Sequence, residues 1–232
     1  NYTSGTTSDP KGVMLTARNI SSNIEFAITE IPCKTGWTII SMLPLGHLYG
    51  FAFEFLYPFA SGCHIYFLGK TPTPSVLIKA LSEVKPYILI TVPLVVEKIF
   101  KGKVMPTLSK PLMKVLLTIP GLNNVIYNSV RKKLINTFGG FLEHGLIVGG
   151  AAINEKVEKL MRRMKFPYTV GYGMTECGPL IGYSDWKTFA LRSCGRPVTG
   201  MKVRIDSENP QKKVGEIQVK GDNVMMGYYK NP

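Results

Sequence analysis

Short runs of continuous apolar residues alternate along this chain with segments of helical periodicity, and that alternation constrains the fold more than any other feature. "WTIISML" (37–43), "CHIYFL" (63–68), "PYILITV" (86–92) and "HGLIVGG" (144–150) have strand length and apolar residues at successive positions. Strands of that kind are buried on both faces, as in a parallel sheet covered by helices. Between them lie helical patterns: "FAFEFLYPFA" (51–60), "TPSVLIKALSEVK" (73–85) and "PLVVEKIFKG" (93–102), the last closed by Gly102. Thr73 is predicted as an N-cap, with Pro74 at the first helical position. One or two amphipathic helices are predicted within 108–140, ended by Gly139 and Gly140, and a further helix over 154–165, capped by Asn154. "YTVGYGMTECG" (168–178) reads as a strand and a loop. From Ser193 onward the style changes, and "MKVRID" and "GEIQVKG" alternate as antiparallel strands do. The predicted fold is therefore α/β: a mostly parallel sheet with helices on both faces, followed by the start of an antiparallel β subdomain. The predicted division is 1–185 and 186–232, with the boundary between Gly182 and Arg196.

A chain of 232 residues can bury a full core. Its formal charge of +13 suits polyanionic partners: nucleotides, coenzymes, nucleic acid or anionic lipid. The alternative is that balancing acids lie elsewhere in a longer protein. The chain starts without Met on what reads as the end of a strand, so it is expected to be an internal piece. Cys33, Cys63, Cys177 and Cys194 have no zinc or thioredoxin spacing, and are expected to be free, mostly buried thiols of a reducing cytosol. The apolar tract 37–59 is broken by Pro44, Gly46, His47, Gly50, Glu54 and Pro58, which argues against a membrane span. The stretch 110–134 can be read either as an amphipathic surface pair with a basic rim or as a packed helix and loop.

Four stretches carry residues suited to chemistry. The opening "NYTSGTTSDPKGVMLT" offers the hydroxyls of Thr3, Ser4, Thr6 and Thr7, close backbone approach at Gly5 and the charge of Lys11. Such a set suits a phosphate, although it departs from the common NTPase loop pattern; a solvated Ser/Thr-rich loop is the alternative. In "GYGMTECGP", Gly171 and Gly173 flank Tyr172, leaving a ring beside an open backbone where a base can stack. Met174 follows, then Thr175 with a hydroxyl and Glu176 with a carboxylate of the kind that holds Mg²⁺ beside phosphates. In "IVGGAA", Gly149, Gly150 and Ala151 end a strand with small residues, where α/β sheets bind ligands. In "LPLGHLYG", His47 follows a strand in apolar company, either as a packed structural residue or as a gate between an apolar tunnel and a polar site.

"YTSGTTSDPKGVMLT", "LPLGHLYG", "GYGMTE", "CGRPVTGMKVRI" and "GEIQVKGDNVMMGYYKNP" occur in this order over essentially the whole chain. That order resembles the adenylate-forming (AMP-binding) superfamily of acyl-CoA synthetases, beetle luciferases and peptide-synthetase adenylation domains. "VPLVVEKIF" and "INTFGGFLEHGLIVGGAA" look most like the long-chain fatty acyl-CoA ligase branch. Ser8 stands where the family usually has Gly, and Ala17 where it often has His.

The resemblance implies an acyl-CoA synthetase-like N-terminal domain fragment. It implies an acid–thiol ligase that uses ATP and Mg²⁺ to activate a fatty acid as its adenylate and passes the acyl group to coenzyme A. It implies that the loop from Thr3 to Lys11 grips the β- and γ-phosphates. It also implies that Thr175 contacts phosphate, Glu176 holds Mg²⁺, and Tyr172 lies against adenine. Gly149, Gly150 and Ala151 would line the adenine and acyl pocket, and His47 would sit by the carboxylate. The family's ribose-binding Asp and C-terminal lysine are expected beyond Pro232, so the piece alone is expected to be inactive and prone to self-association. Another carboxylic acid as substrate is one alternative. A nucleic-acid-binding module is the other, but the aromatics fall in apolar runs rather than among basic residues, so no nucleic acid is expected. The expected location is cytoplasmic, with peripheral contact at the inner face of a membrane left open.

Overall fold

The computed structural model describes residues 1–3, 9–31, 33–140 and 145–231. The apolar runs become strands: β1 (Val13–Met14), β2 (Thr38–Ser41), β3 (His64–Phe67), β4 (Leu89–Thr91), β5 (Leu146–Val148) and β6 (Tyr168–Val170). β2 pairs with β3, β4 with β5 and β5 with β6, all parallel. Tyr87 N–H donates to Thr38 O at 3.2 Å and joins the two parallel groups.

Two-faced burial explains the runs at β2, β4 and β5; β3 departs from the expectation, since it pairs only with β2 among the described residues and leaves Tyr66 and Phe67 exposed. Ile40, Leu89, Leu146 and Val148 enter one core cluster, while Ile39, Ile88, Ile90 and Ile147 enter the other. Leu77, Leu81, Val96, Phe100, Val157 and Met161 cover the first face from helices Pro74–Val84, 93–108 and Glu155–Arg163. Phe26, Ala27, Phe53 and Tyr57 cover the second from helices Ala17–Glu30 and 48–60. Each Leu, Ile, Val, Phe or Met among them contributes roughly 1.5–3 kcal/mol on burial. The helices thus lie on both faces, as the sequence predicts.

The predicted caps are present. Thr73 Oγ1 accepts from Val76 N, and Asn154 Oδ1 accepts from Lys156 N and Val157 N. Other expectations are corrected. Helix Ala17–Glu30, opened by a reciprocal Thr16–Asn19 capping box, was not predicted. Gly102 does not close its helix: the chain runs on through a wide π-helical stretch, Phe100–Val104, into Met105–Leu108, because Val104 and Leu108 are buried in the core. The stretch 108–140 holds two helices, Pro111–Leu116 and Leu122–Thr137, separated at Gly121 (φ 85°). Of the four thiols, Cys177 alone is buried; Cys33 and Cys63 are half-buried with sulfurs 2.8 Å apart, and Cys194 is exposed. Burial, then the bond to Cys33, pushes the Cys63 thiol up to about 12.

After β6 the pairing turns antiparallel: β7 (Tyr172–Gly173), β8 (Leu180–Tyr183) and β9 (Arg196–Pro197), then the hairpin β10 (Lys202–Asp206) with β11 (Glu216–Lys220). β12 (Gly227–Tyr228) returns to pair antiparallel with β1, placing Val13 opposite Tyr228. Asn19 Nδ2 fastens this return by donating to Asp222 O and Val224 O at 2.7 and 2.8 Å. Among the described residues no helix is long and apolar enough to cross a membrane.

Candidate functional site

A cavity of about 630 Å³ opens where β4, β5 and β6 end. This is the crevice at the carboxyl ends of the strands where open α/β sheets take ligands. Thr3, Lys11, His47, Gly149, Gly150 and the whole run Gly171–Glu176 line it. Four separate sequence motifs thus converge on one space. Ala151 is exposed one residue beyond the lining, and Ser4, Gly5, Thr6 and Thr7 lie outside the described residues.

The mouth of the opening loop is pinned from both ends. Thr3 N–H donates to Lys11 O, and Lys11 N–H donates to Thr3 Oγ1, both at 3.0 Å. The Lys11 ammonium stands 4.9 Å above the Tyr228 ring. Tyr228 in turn donates its hydroxyl to Glu176 Oε1 at 2.8 Å, a bond that raises the phenol above its ordinary range. The pairing of β1 with β12 is what brings these three side chains together.

The second motif is shaped by backbone. Gly171 N–H donates to Val148 O at 2.9 Å, carrying the chain off β6 across the strand end. A Cβ at Gly173 would lie 2.1 Å from Pro179 O, so only glycine lets this hairpin close. Thr175–Cys177 form a 3₁₀ turn that points Thr175 and Glu176 at the cavity. Buried Asn23 anchors the far strand by accepting from Leu180 N–H at 2.8 Å. Tyr172 is half-buried and Met174 exposed.

The apolar end is built differently. His47 is exposed at the start of helix 48–60, in the turn closed by its N–H to Pro44 O at 3.0 Å. Two residues on, Tyr49 points its hydroxyl at the carbonyls of Thr91 (3.3 Å) and Ile147 (3.4 Å), spanning the ends of β4 and β5. Burial, then the nearby Glu54, pushes this phenol well above its ordinary range. The Tyr49 ring occupies the space that a Cβ on Gly149 would need, 2.8 Å from Cζ. Glu54 is fully buried beneath the loop. Its Oε2 accepts from Met42 N–H (2.9 Å), Leu43 N–H (2.8 Å) and Ser41 Oγ (3.3 Å), while Oε1 is buried without a partner. Burial pushes this carboxyl up to about 7 against the pull of those bonds.

Sequence reasoning missed Tyr49, Glu54 and Tyr228. A lone acid in the run "FAFEFLYPF" was a usable signal for Glu54; Tyr228 was visible only within the quoted tail motif.

A family model described as AMP-binding enzyme matches residues 1–229. The chain belongs to the AMP-binding enzyme family. Long-chain-fatty-acid–CoA ligase 1 of Saccharomyces cerevisiae is 31% identical over 254 residues, covering 99% of this chain and 36% of the relative. Human long-chain-fatty-acid–CoA ligase ACSBG2 is 28% identical over 98% of this chain and 37% of its own length. The chain therefore spans a little over a third of the relatives it matches. Among solved structures, o-succinylbenzoate CoA synthetase (MenE) from Bacillus subtilis, with its acyl-adenylate OSB-AMP, aligns with TM-score 0.74 at 20% identity, over 99% of this chain and 41% of that one. ATP-bound MatB from Rhodopseudomonas palustris aligns with TM-score 0.74 at 20% identity, over 100% and 41%. These two structures share the fold of this chain.

Proposed function

We propose that this chain supplies the nucleotide-gripping part of an ATP-dependent acid–thiol ligase that activates a long-chain fatty acid and transfers it to coenzyme A. The observation that carries the reading is the convergence of Lys11, Tyr228, Thr175 and Glu176 at one end of a cavity whose other end is apolar. Leu43, Phe53, Ile90 and Ile147 contribute to that apolar end. The long-chain assignment rests on the names of the most similar relatives.

In the adenylation step a carboxylate oxygen attacks the α-phosphorus of ATP, a P–O bond to the β-phosphate breaks, and pyrophosphate leaves. Such transfers are driven by fixed charge more than by covalent chemistry. Lys11 and the loop it pins would bear the charge of the leaving pyrophosphate. Thr175 would donate to a phosphate oxygen. Glu176 fits a hard cation: one oxygen is committed to Tyr228, the other accepts no hydrogen bond among the described residues, and Thr175 lines the same cavity. Glu176 would hold Mg²⁺, which neutralises phosphate charge when bound. Tyr172 would lie against adenine, with Gly150 leaving room for the base, while the Tyr49 ring fills the space beside Gly149 and Ala151 lies one residue beyond the lining. His47, at the turn between polar and apolar ends, would orient the carboxylate.

The test is pyrophosphate release by the full-length protein with palmitate, malonate, o-succinylbenzoate and amino acids. Palmitate should give the highest kcat/KM; a preference for a short or aromatic acid overturns the acyl assignment. Lys11→Ala should raise the KM for ATP about tenfold more than the KM for the acid. Equal losses would contradict the phosphate role.

A further inference from the structure

The two helices between 110 and 137 carry a surface that the cavity does not use. From Lys98 to Leu142 the chain holds eight basic residues (Lys98, Lys101, Lys103, Lys110, Lys114, Arg131, Lys132 and Lys133) and no acidic one. Lys101 pairs with Glu97; among the described residues Lys103, Lys110, Lys114, Lys132 and Lys133 have no ion pair. Helix Glu155–Arg163 shows the contrast: it carries both signs, and its exposed Lys159 pairs with Glu155.

The apolar side chains of this arm divide into two sets. Met113, Leu117, Ile126, Tyr127 and Val130 pack inward against the core. Leu112, Val115, Ile119 and Val125 point away, at 71%, 61%, 44% and 63% exposure. Leu112 and Val115 stand three apart in helix Pro111–Leu116, so they share one side; Ile119 is exposed in the turn that follows, and Lys114 is their neighbour in sequence. Helix Pro111–Leu116 has no buried residue, although four of its six positions are apolar. Its inward side is taken by Met113, and the apolar side chains on its outward side suit a protein partner or a lipid boundary better than water. The lysines without ion pairs among the described residues favour the lipid boundary, since an anionic lipid surface is complementary to them.

We propose that the arm 110–137 is a membrane-surface contact, laying Leu112, Val115 and Ile119 into the headgroup boundary of an anionic bilayer while the flanking lysines meet the lipid charge. Long lysine stems can follow the apolar side chains down and keep the ammonium at the surface.

The experiment is co-sedimentation of the full chain with phosphatidylcholine vesicles, with and without about 30 mol % phosphatidylserine, in the absence of any substrate. Anionic vesicles should bind about tenfold more tightly than neutral ones, and salt should weaken that binding. The variant Leu112→Ser/Val115→Ser/Ile119→Ser should lose about tenfold in affinity with an unchanged melting temperature, since these side chains are exposed. Lys110→Glu/Lys114→Glu should remove the preference for anionic vesicles and its salt dependence. Equal binding to both vesicle types, or serine and charge variants that bind as the parent does, would overturn the proposal. So would a parent that ignores vesicles and forms a dimer that the serine variant disperses, which would assign the face to a second copy.

Discussion

The two ends of the cavity each hold a carboxylate, and the surroundings set them to opposite tasks. Glu176, half-exposed at the polar mouth, accepts one bond from Tyr228 and keeps its other oxygen free of hydrogen bonds among the described residues, in a cavity that Thr175 and Lys11 also line. Glu54, at the dry end, collects three donors on one oxygen and leaves the other buried and unpaired. An open oxygen in a solvated setting can take a cation at little desolvation cost. A buried carboxylate tied to backbone N–H groups instead fixes the course of the chain, here the loop from Met42 to His47. Identical chemistry thus becomes a ligand at one end and a brace at the other.

The sharpest way to break the comparison is to neutralise each carboxylate in turn. Glu176→Gln should lower the adenylation rate of the full-length enzyme by about 10³-fold, or about 4 kcal/mol of activation free energy, with the melting temperature unchanged. A variant with normal rate and normal Mg²⁺ dependence would remove the ligand role. Glu54→Gln should do the reverse, leaving catalysis near normal and changing the pH dependence of stability.

The sign of that change follows from burial. The Glu54 carboxyl is pushed up to about 7, above the usual carboxylate range. Between pH about 4.5 and about 7 the folded protein keeps a proton that the unfolded chain has lost, so stability falls as pH rises through that window. Two to three pKa units correspond to about 3 kcal/mol. Urea midpoints of the parent should therefore decline relative to Glu54→Gln from pH 4.5 to 7 and run parallel above it. Parallel curves throughout would show that the three donors offset the burial completely.

These two residues also mark what a sequence can and cannot disclose. Strands β2, β4 and β5 were legible because two-faced burial writes an unbroken apolar run. Helix Ala17–Glu30 was not, because its core-facing positions include Asn19 and Asn23, whose partners lie at Asp222, Val224, Cys177 and Leu180. A polar residue satisfied from more than 150 positions away looks like a solvent-facing one. Gly102 misled for the opposite reason: a local breaker signal lost to the burial of Val104 and Leu108 beyond it. The motifs at Thr3–Lys11 and Gly171–Glu176 were legible individually, since phosphate and cation chemistry needs particular residue types. Their meeting through Tyr228 depends on β1 pairing with β12, a contact no local pattern encodes.

The smallest expected effect probes how tightly the apolar end is packed. Gly149 has an ordinary backbone conformation, so any cost of a side chain there comes from contact. A Cβ would lie 2.8 Å from Tyr49 Cζ and 3.0 Å from its hydroxyl. Neither partner can easily retreat. Tyr49 is tied to Thr91 O and Ile147 O, its ring packs 6.0 Å from Phe53, and Gly149 N–H itself donates to Thr91 O at 3.0 Å. Gly149→Ala should thus destabilise by about 2 kcal/mol, as overpacking does. It should also raise the KM for the acid more than the KM for ATP, because the displaced ring moves into the apolar half of the cavity and not toward Lys11. Tyr49→Leu frees the space, so the double variant should recover about 1 kcal/mol of the sum of the single losses. Strict additivity would mean that the ring yields without strain. The apolar end would then be a soft wall, and the contrast with the pinned mouth at Thr3 and Lys11 would have to be drawn the other way.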